Sequence, residues 1–440
     1  MPSHDTENLH STVLNSRNQR EKLGICLVIG HWVLVISSAV SDDWPRWRGP
    51  HNNGHVPSGV AVPTSLPLEP KVLWRVKIGE GVGSPVVAGG KVFYHDKQQT
   101  KEVVHAVDDA TGIEIWNFIL DDEHKDAQGI GPRSTPLVDS DRVYVQSARG
   151  ELQCRNVADG KLLWRKNFPA DFAALFFGEI GNPKANGASR HGNVGSPVIE
   201  GDRMYVLAGG VDGASIVCLD KNTGDLIWKS QNDQSGYAAA VLVNVGGVKQ
   251  IIAFTADGVI GVRTDNGGLL WRFPIKTAFA RHVTTPVVVN DIVLVASHQH
   301  GLFGIKISKD GTGQKAEQAW LTKNAAINFS SPVVVGQHLY GLGPAKNIIC
   351  VDPSTGKIEW SQEGLLQSSA DKAHAAFLVM GNNILTLTDG GQLALFAADP
   401  KEFKEISRAQ VCGKTWCNPA YANGKLYLRD QKDLLCVQIQ

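Results

Sequence analysis

The sequence predicts an all-β protein, an eight-bladed β-propeller of four-stranded antiparallel blades whose ring is closed by an N-terminal strand. Three observations lead there. One unit recurs along the chain: Ser/Thr-Pro, a Val-rich stretch, a Gly-containing turn, a Val-Tyr strand, an apolar strand ending near Asp, then Thr-Gly-x-x-x-Trp. Its proline-type positions, Pro85, Pro136, Pro197, Ala240, Pro286, Pro332, Ala376 and Pro419, fall at intervals of roughly 40 to 60 residues, the period of blades built from four short strands. Glycine is abundant, 46 of 440 residues, in a chain with few helix-period stretches, which places it in tight turns between strands.

The length exceeds that of a usual single core, and a repeat architecture is what lets one domain reach it. The clearest unit opens at Ser196-Pro197-Val198-Ile199 and runs through Met204-Tyr205-Val206 and Cys218-Leu219-Asp220 to Thr223-Gly224 and Trp228. The same step from Gly to Trp recurs at Gly112 and Trp116, Gly160 and Trp164, Gly267 and Trp271, and Gly356 and Trp360. Thr-Gly or Asp-Gly supplies a turn with positive φ, and the Trp carries a large apolar surface to the seam between blades. Trp74, Trp116, Trp164, Trp228, Trp271, Trp320 and Trp360 are therefore expected to be structural seam residues; their regular recurrence argues against an aromatic ligand platform. The last unit, 411–440, lacks its Thr-Gly-x-x-x-Trp, while Lys71-Val72-Leu73-Trp74-Arg75-Val76 is an outer strand without a preceding unit. Each end completes the other, which pairs strand edges that would otherwise be exposed.

The Asp-x-x-Thr-Gly-x-x-x-Trp units resemble the pyrroloquinoline-quinone-like (PQQ-like) repeat and cover nearly all of 71–440. Trp44-Pro45-Arg46-Trp47-Arg48-Gly49-Pro50 resembles the N-terminal motif of exported bacterial members of that family. The resemblance implies the propeller, but it spans quinoprotein dehydrogenases, the BamB-type outer-membrane assembly lipoprotein and proteins of no assigned role, so it does not select an activity. A quinoprotein dehydrogenase would need PQQ with calcium, an Asp base and often a vicinal disulfide. This chain has neither a Cys-Cys pair nor Cys-x-x-Cys-His, and its sequence marks no funnel acid with Glu and Asn companions. No cofactor and no metal site are predicted, and no G-x-S-x-G, P-loop or His-Glu-x-x-His is present.

Arg17, Arg20 and Lys22 precede an apolar run from Leu23 to Val40, and Ala39-Val40-Ser41 at its end offers a cleavage signal. Residues 1–41 are read as a signal peptide, with an uncleaved anchor as the alternative, 42–70 as an N-terminal extension and 71–440 as the propeller. Export to the periplasm or cell envelope follows, with membrane contact only through such an anchor. Lys+Arg 43 against Asp+Glu 43 leaves no basic field for nucleic acid, and a monomer is expected. Cys154, Cys218, Cys350 and Cys436 occupy one equivalent position in four repeats, too far apart to pair, where a small apolar residue packs a strand. Cys412 and Cys417 are open to pairing, although a free-thiol core role is the expectation.

Residues just before each proline-type position should ring the funnel mouth. Arg133, His191, Asn193, Tyr237, Arg281, His282, Asn328, His374 and Trp416 are the candidate ligand-binding residues, a set suited to an anionic or planar ligand through charge-assisted hydrogen bonds and stacking. No catalytic residue is assigned. The wide interval between Pro136 and Pro197 requires an inserted loop from Phe168 to Asn193, with Phe168, Phe172, Phe176 and Phe177, either a hydrophobic plug or a lid. The expected function is a non-catalytic binding or protein-interaction propeller of the envelope, engaging an envelope protein or small ligand. The alternatives are a PQQ-dependent oxidoreductase and a BamB-like assembly scaffold.

Overall fold

A computed structural model describes residues 43–126, 129–174, 191–210, 212–311, 313–370 and 372–440. The leader, Cys26, Phe176, Phe177 and the Gly- and Asn-rich stretch 181–187 lie outside them. The described chain forms eight four-stranded antiparallel sheets and one two-stranded ribbon, Lys125–Asp126 with Gly129–Ile130. We number the sheets as blades 1 to 8, whose innermost strands are Val86–Ala88, Leu137–Asp139, Val198–Glu200, Val241–Val245, Val287–Val289, Val333–Val335, Ala375–Met380 and Ala420–Ala422. Blade 8 borrows its outer strand from the start of the chain: Lys71–Lys77 pairs with Asp433–Gln438, Trp74 opposite Cys436 and Val76 opposite Leu434.

The second, third and outer strands of a blade align a fixed row. In blades 2, 3, 6 and 8 it reads Tyr, Cys, Trp: Tyr144-Cys154-Trp164, Tyr205-Cys218-Trp228, Tyr340-Cys350-Trp360 and Tyr427-Cys436-Trp74. The middle residue must be small because aromatic rings flank it, their centroids about 6 Å apart across the sheet (6.0, 5.9, 5.9 and 6.0 Å). These cysteines are buried free thiols. Burial pushes those of Cys154 and Cys350 up to about 12, which keeps them protonated and inert.

Six of the seven repeat tryptophans reach across the seam, the indole Nε1 donating to a backbone carbonyl of the next blade at 2.8–3.2 Å, as in Trp164 to Lys221 (2.9 Å) and Trp360 to Asp399 (2.8 Å). For five of the six, all but Trp360, the ring lies on the turn glycine of that blade: Gly112, Gly160, Gly224, Gly267 or Gly356. Gly267 has φ +72°, and a Cβ there would sit 2.7 Å from the Trp228 ring. Glycine is thus demanded twice, by the turn and by the indole. Trp271 is the exception, donating to Gln250 within its own sheet at 2.6 Å. In blade 5 strand pairing continues past that level as far as Asp310 and Gly313. Its long hairpin, Gly301–Asp310 and Gly313–Thr322, instead sends Gln314 to the Val245 carbonyl and to Gln250.

Helix is nearly absent among the described residues. Phe168–Phe172 forms a short one, its N-terminus capped by the Asn167 side chain, and Phe168 and Phe172 are buried between blades 2 and 3 beside Leu152 and Val206. Those two rings belong to the core.

Candidate functional site: a blind cup at the ring axis

Ser/Thr-Pro acquires its physical meaning where the inner strands converge. Proline offers no N–H at the strand start, and the hydroxyl before it binds the neighbouring blade's backbone: Ser84 Oγ accepts from Asn418 N (2.9 Å), Ser331 Oγ from Thr285 N (3.0 Å), and Ser196 Oγ donates to the Thr135 carbonyl (3.2 Å). These hydroxyls form the lower wall of a cup.

The extension 43–70 closes the axis beneath it. Trp44 pairs with Val87 of blade 1, and the Pro45 carbonyl accepts from Val138 of blade 2 at 2.7 Å. Trp47 Nε1 then donates to Thr285 Oγ1 of blade 5 (3.1 Å), Arg48 to the Pro332 carbonyl of blade 6, and Gly54 and Val56 pair with Val379 of blade 7. Trp47 is part of the cup lining. The stretch that marks the chain before its first blade is therefore a plug through the ring, a role that its density of Trp and Arg signals but does not place.

Arg133, His191, Tyr237, Arg281, His374 and Trp416 line this cup together, with Phe329 and Val82. Asn193, His282 and Asn328 do not. Strand alternation is the reason: they stand an even number of residues before their proline and point back into the blade, whereas Arg133, Phe329 and Arg281 stand at odd offsets. Asn193 accepts from Gln146. His282 is fully buried, stacked on Phe254 at 4.0 Å, with Nδ1 donating to the Thr255 carbonyl (2.6 Å) and Nε2 accepting from Thr277 Oγ1 (2.9 Å). In blade 7 the inner strand is Ala375–Met380, so Ala376 lies inside the strand where the other markers precede theirs and gives no guide to parity; His374 lines the cup.

The two arginines differ. Arg133 is engaged: Nη2 donates to Asp126 Oδ1 at 2.8 Å and Nη1 to the His191 carbonyl at 3.2 Å. Asp126 also meets His191 Nδ1 (2.9 Å) and His124 Nε2 (3.2 Å). Burial would raise the Asp126 carboxyl, but the hydrogen bonds from His124, His191 and Arg133 outweigh it and hold the group well below the ordinary carboxylate range. Arg281 makes neither a side-chain hydrogen bond nor an ion pair with described residues, and lies over Phe329, its guanidinium carbon 5.7 Å from the ring centroid. Phe329 stacks on Trp416 (5.1 Å), and the His374 ring also lies near-parallel to Trp416 (6.4 Å). Burial drives His374 down to about 4, so it is a neutral ring at neutral pH. Among the described residues the cup thus offers one free cation, Arg281, beside an aromatic stack.

Its volume is about 150 Å³, below the ~300–1,000 Å³ usual for small-molecule sites. The lining supplies hydroxyls, imidazoles, guanidinium groups and aromatic rings, not the carboxylate oxygens that calcium takes, and among the described residues no cluster of His, Cys, Asp and Glu has a metal-holding arrangement. A tricyclic quinone with calcium does not fit these residues.

Ring and repeat together define the class, an eight-bladed propeller of PQQ-like repeats. A family model described as outer membrane protein assembly factor BamB matches residues 69–183 and 100–362, and the chain belongs to that family. BamB of Shewanella oneidensis is 23% identical over 339 residues, 71% of this chain and 76% of that protein. With BamB of Yersinia pestis, 22% identical, the match spans only about half of either protein, 51% of each. Among solved structures, BamB from Moraxella catarrhalis aligns with TM-score 0.56 and 15% identity over 84% of this chain and 100% of that one. A quinohemoprotein alcohol dehydrogenase from Pseudomonas putida HK5 aligns with TM-score 0.61 and 11% identity over 90% and 80%. At such identities the structural likeness is one of fold.

Proposed function

We propose that this chain is a non-catalytic, protein-interaction propeller of the cell envelope that serves as a scaffold in outer-membrane protein assembly, and that the cup rim is where a partner docks. The cup carries this reading. It is too small for a whole cofactor yet the right size for one inserted side chain, and it sets the unpaired Arg281 beside a Phe329–Trp416 stack. An acidic or aromatic partner residue would find a charge-assisted bond and a stacking face together. The family and the names of its relatives support the assembly role, and in this reading the protein works on the periplasmic side of the envelope.

The test is affinity capture of tagged protein from envelope extract, wild type beside Arg281→Ala. Recovery of an outer-membrane β-barrel assembly complex by wild type, reduced for the variant, is expected. If instead the purified protein gained a quinone absorbance when PQQ and calcium were added, the oxidoreductase reading would replace this one.

A further inference from the structure

Below Trp47 the plug and the inner strands line a second, partly open cavity, about 630 Å³, several times the size of the cup. Its two walls are unlike. The ring contributes apolar residues of blades 3 to 6, such as Val243, Val287 and Val334, while the plug contributes Arg46, Arg48, His51 and His55. No Asp or Glu is among the described residues that line it.

Two of the plug's basic groups are committed to the fold. Arg48 is buried and donates to the Pro332 and Asn53 carbonyls, and His55 Nε2 donates to the Val334 carbonyl at 2.8 Å. Arg46 is different. Its Nε is buried without a hydrogen-bond partner, and its guanidinium makes no hydrogen bond or ion pair with described residues. Asp139, whose charge acts on it, is itself paired with Lys221 Nζ at 2.6 Å. The loop holding these groups is tightly set: Arg48 (φ 58°) and Asn52 (φ 55°) both take left-handed backbone, and Asn52 Nδ2 is tied to the Trp47 carbonyl at 3.0 Å. A buried guanidinium nitrogen is ordinarily satisfied, and the fork formed by Nε and a terminal nitrogen matches a carboxylate or phosphate in bidentate fashion.

We propose that this chamber is a second binding site, for an anionic head carried on an aliphatic body, with the head on Arg46 and the body along the valine wall. The volume lies within the range of small-ligand sites, and the basic plug opposite an apolar wall is the complement of an amphiphilic anion. The site is independent of the cup and of the assembly role.

Octanoate is the probe, with acetate as the head alone and octanol as the body alone, measured by calorimetry and by thermal shift on the folded chain. Octanoate should bind wild type well ahead of either control. Arg46→Gln should weaken it about tenfold, as expected for one lost hydrogen bond to a charged group. Because Arg46 has no internal partner, the unliganded variant should melt where wild type does, and Arg46→Lys should restore only part of the affinity, since a point charge lacks the fork. Arg281→Gln, in the cup, should leave octanoate binding unchanged. Equal octanoate affinity in wild type and Arg46→Gln overturns the proposal. So does absence of binding at millimolar octanoate, binding of acetate or octanol as tight as that of octanoate, or loss of binding in Arg281→Gln.

Discussion

Replacing Trp228 by alanine removes a residue that is only 9% exposed, lies on the Gly267 backbone, sits 5.9 Å from Tyr205 and donates to the Thr264 carbonyl at 3.2 Å. Neighbouring side chains cannot fill the space, because Gly267 offers no side chain and Tyr205 is held in its own strand, so most of the ring's volume remains as a cavity. Truncating a buried Trp or Phe to Ala costs about 3–5 kcal/mol, and the stranded Thr264 carbonyl adds to the loss. Unfolding entropy near 2.1 cal/mol/K per residue over roughly 400 ordered residues converts this to a fall of ~4–6 °C in melting temperature. Differential scanning calorimetry of both proteins at one scan rate measures it. A Trp228→Ala variant that melts within 1 °C of wild type would refute the seam packing on which the blade assembly rests.

Arg133→Ala should lower the melting temperature, because it takes from the buried Asp126 its guanidinium partner, while Arg281→Ala should leave stability unchanged and weaken partner binding by about 1.5–3 kcal/mol, the range for a hydrogen bond to a charged group; the reverse pattern would exchange their roles. Glu102 is pushed up to about 8, chiefly by burial with the Asp121 charge adding to it, and only one of its oxygens has a partner, Ala148 N at 3.3 Å. A carboxyl raised on folding stabilises fully below its unfolded value, about 4.3, and loses that contribution as pH rises through 8. Glu102→Gln should therefore stabilise the protein at pH 8.5 relative to wild type more than at pH 5, and thermal melts showing an equal effect at both would contradict the burial argument. Cys154, Cys218, Cys350 and Cys436 should resist thiol reagents at pH 8 until the protein is unfolded, and rapid labelling in the native state would place them outside the sheet rows.

The propeller was legible in the chain because its determinants are local and repeated. Thr-Gly sets a turn, Trp the seam, Ser/Thr-Pro the start of an inner strand, and the orphan strand around Trp74 completes the last unit, as its pairing with Asp433–Gln438 shows. Even the sorting of the candidates was half present in the numbering: the parity that turns Asn193, His282 and Asn328 away from the axis is simple alternation. His191 escaped that rule, lining the cup from an even offset where the chain is not extended.

What the chain alone could not decide were contacts between residues far apart in sequence with no repeat to relate them. Trp47 meets Thr285, Arg48 meets Pro332, and His191 meets Asp126; these contacts make the funnel a blind cup, leave Arg281 as the free cation among its described residues and line the chamber beneath. Repeat patterns encode the interactions between neighbouring strands and blades. Where the non-repeating extension crosses the axis is set by several blades at once, so only the closed ring determines it.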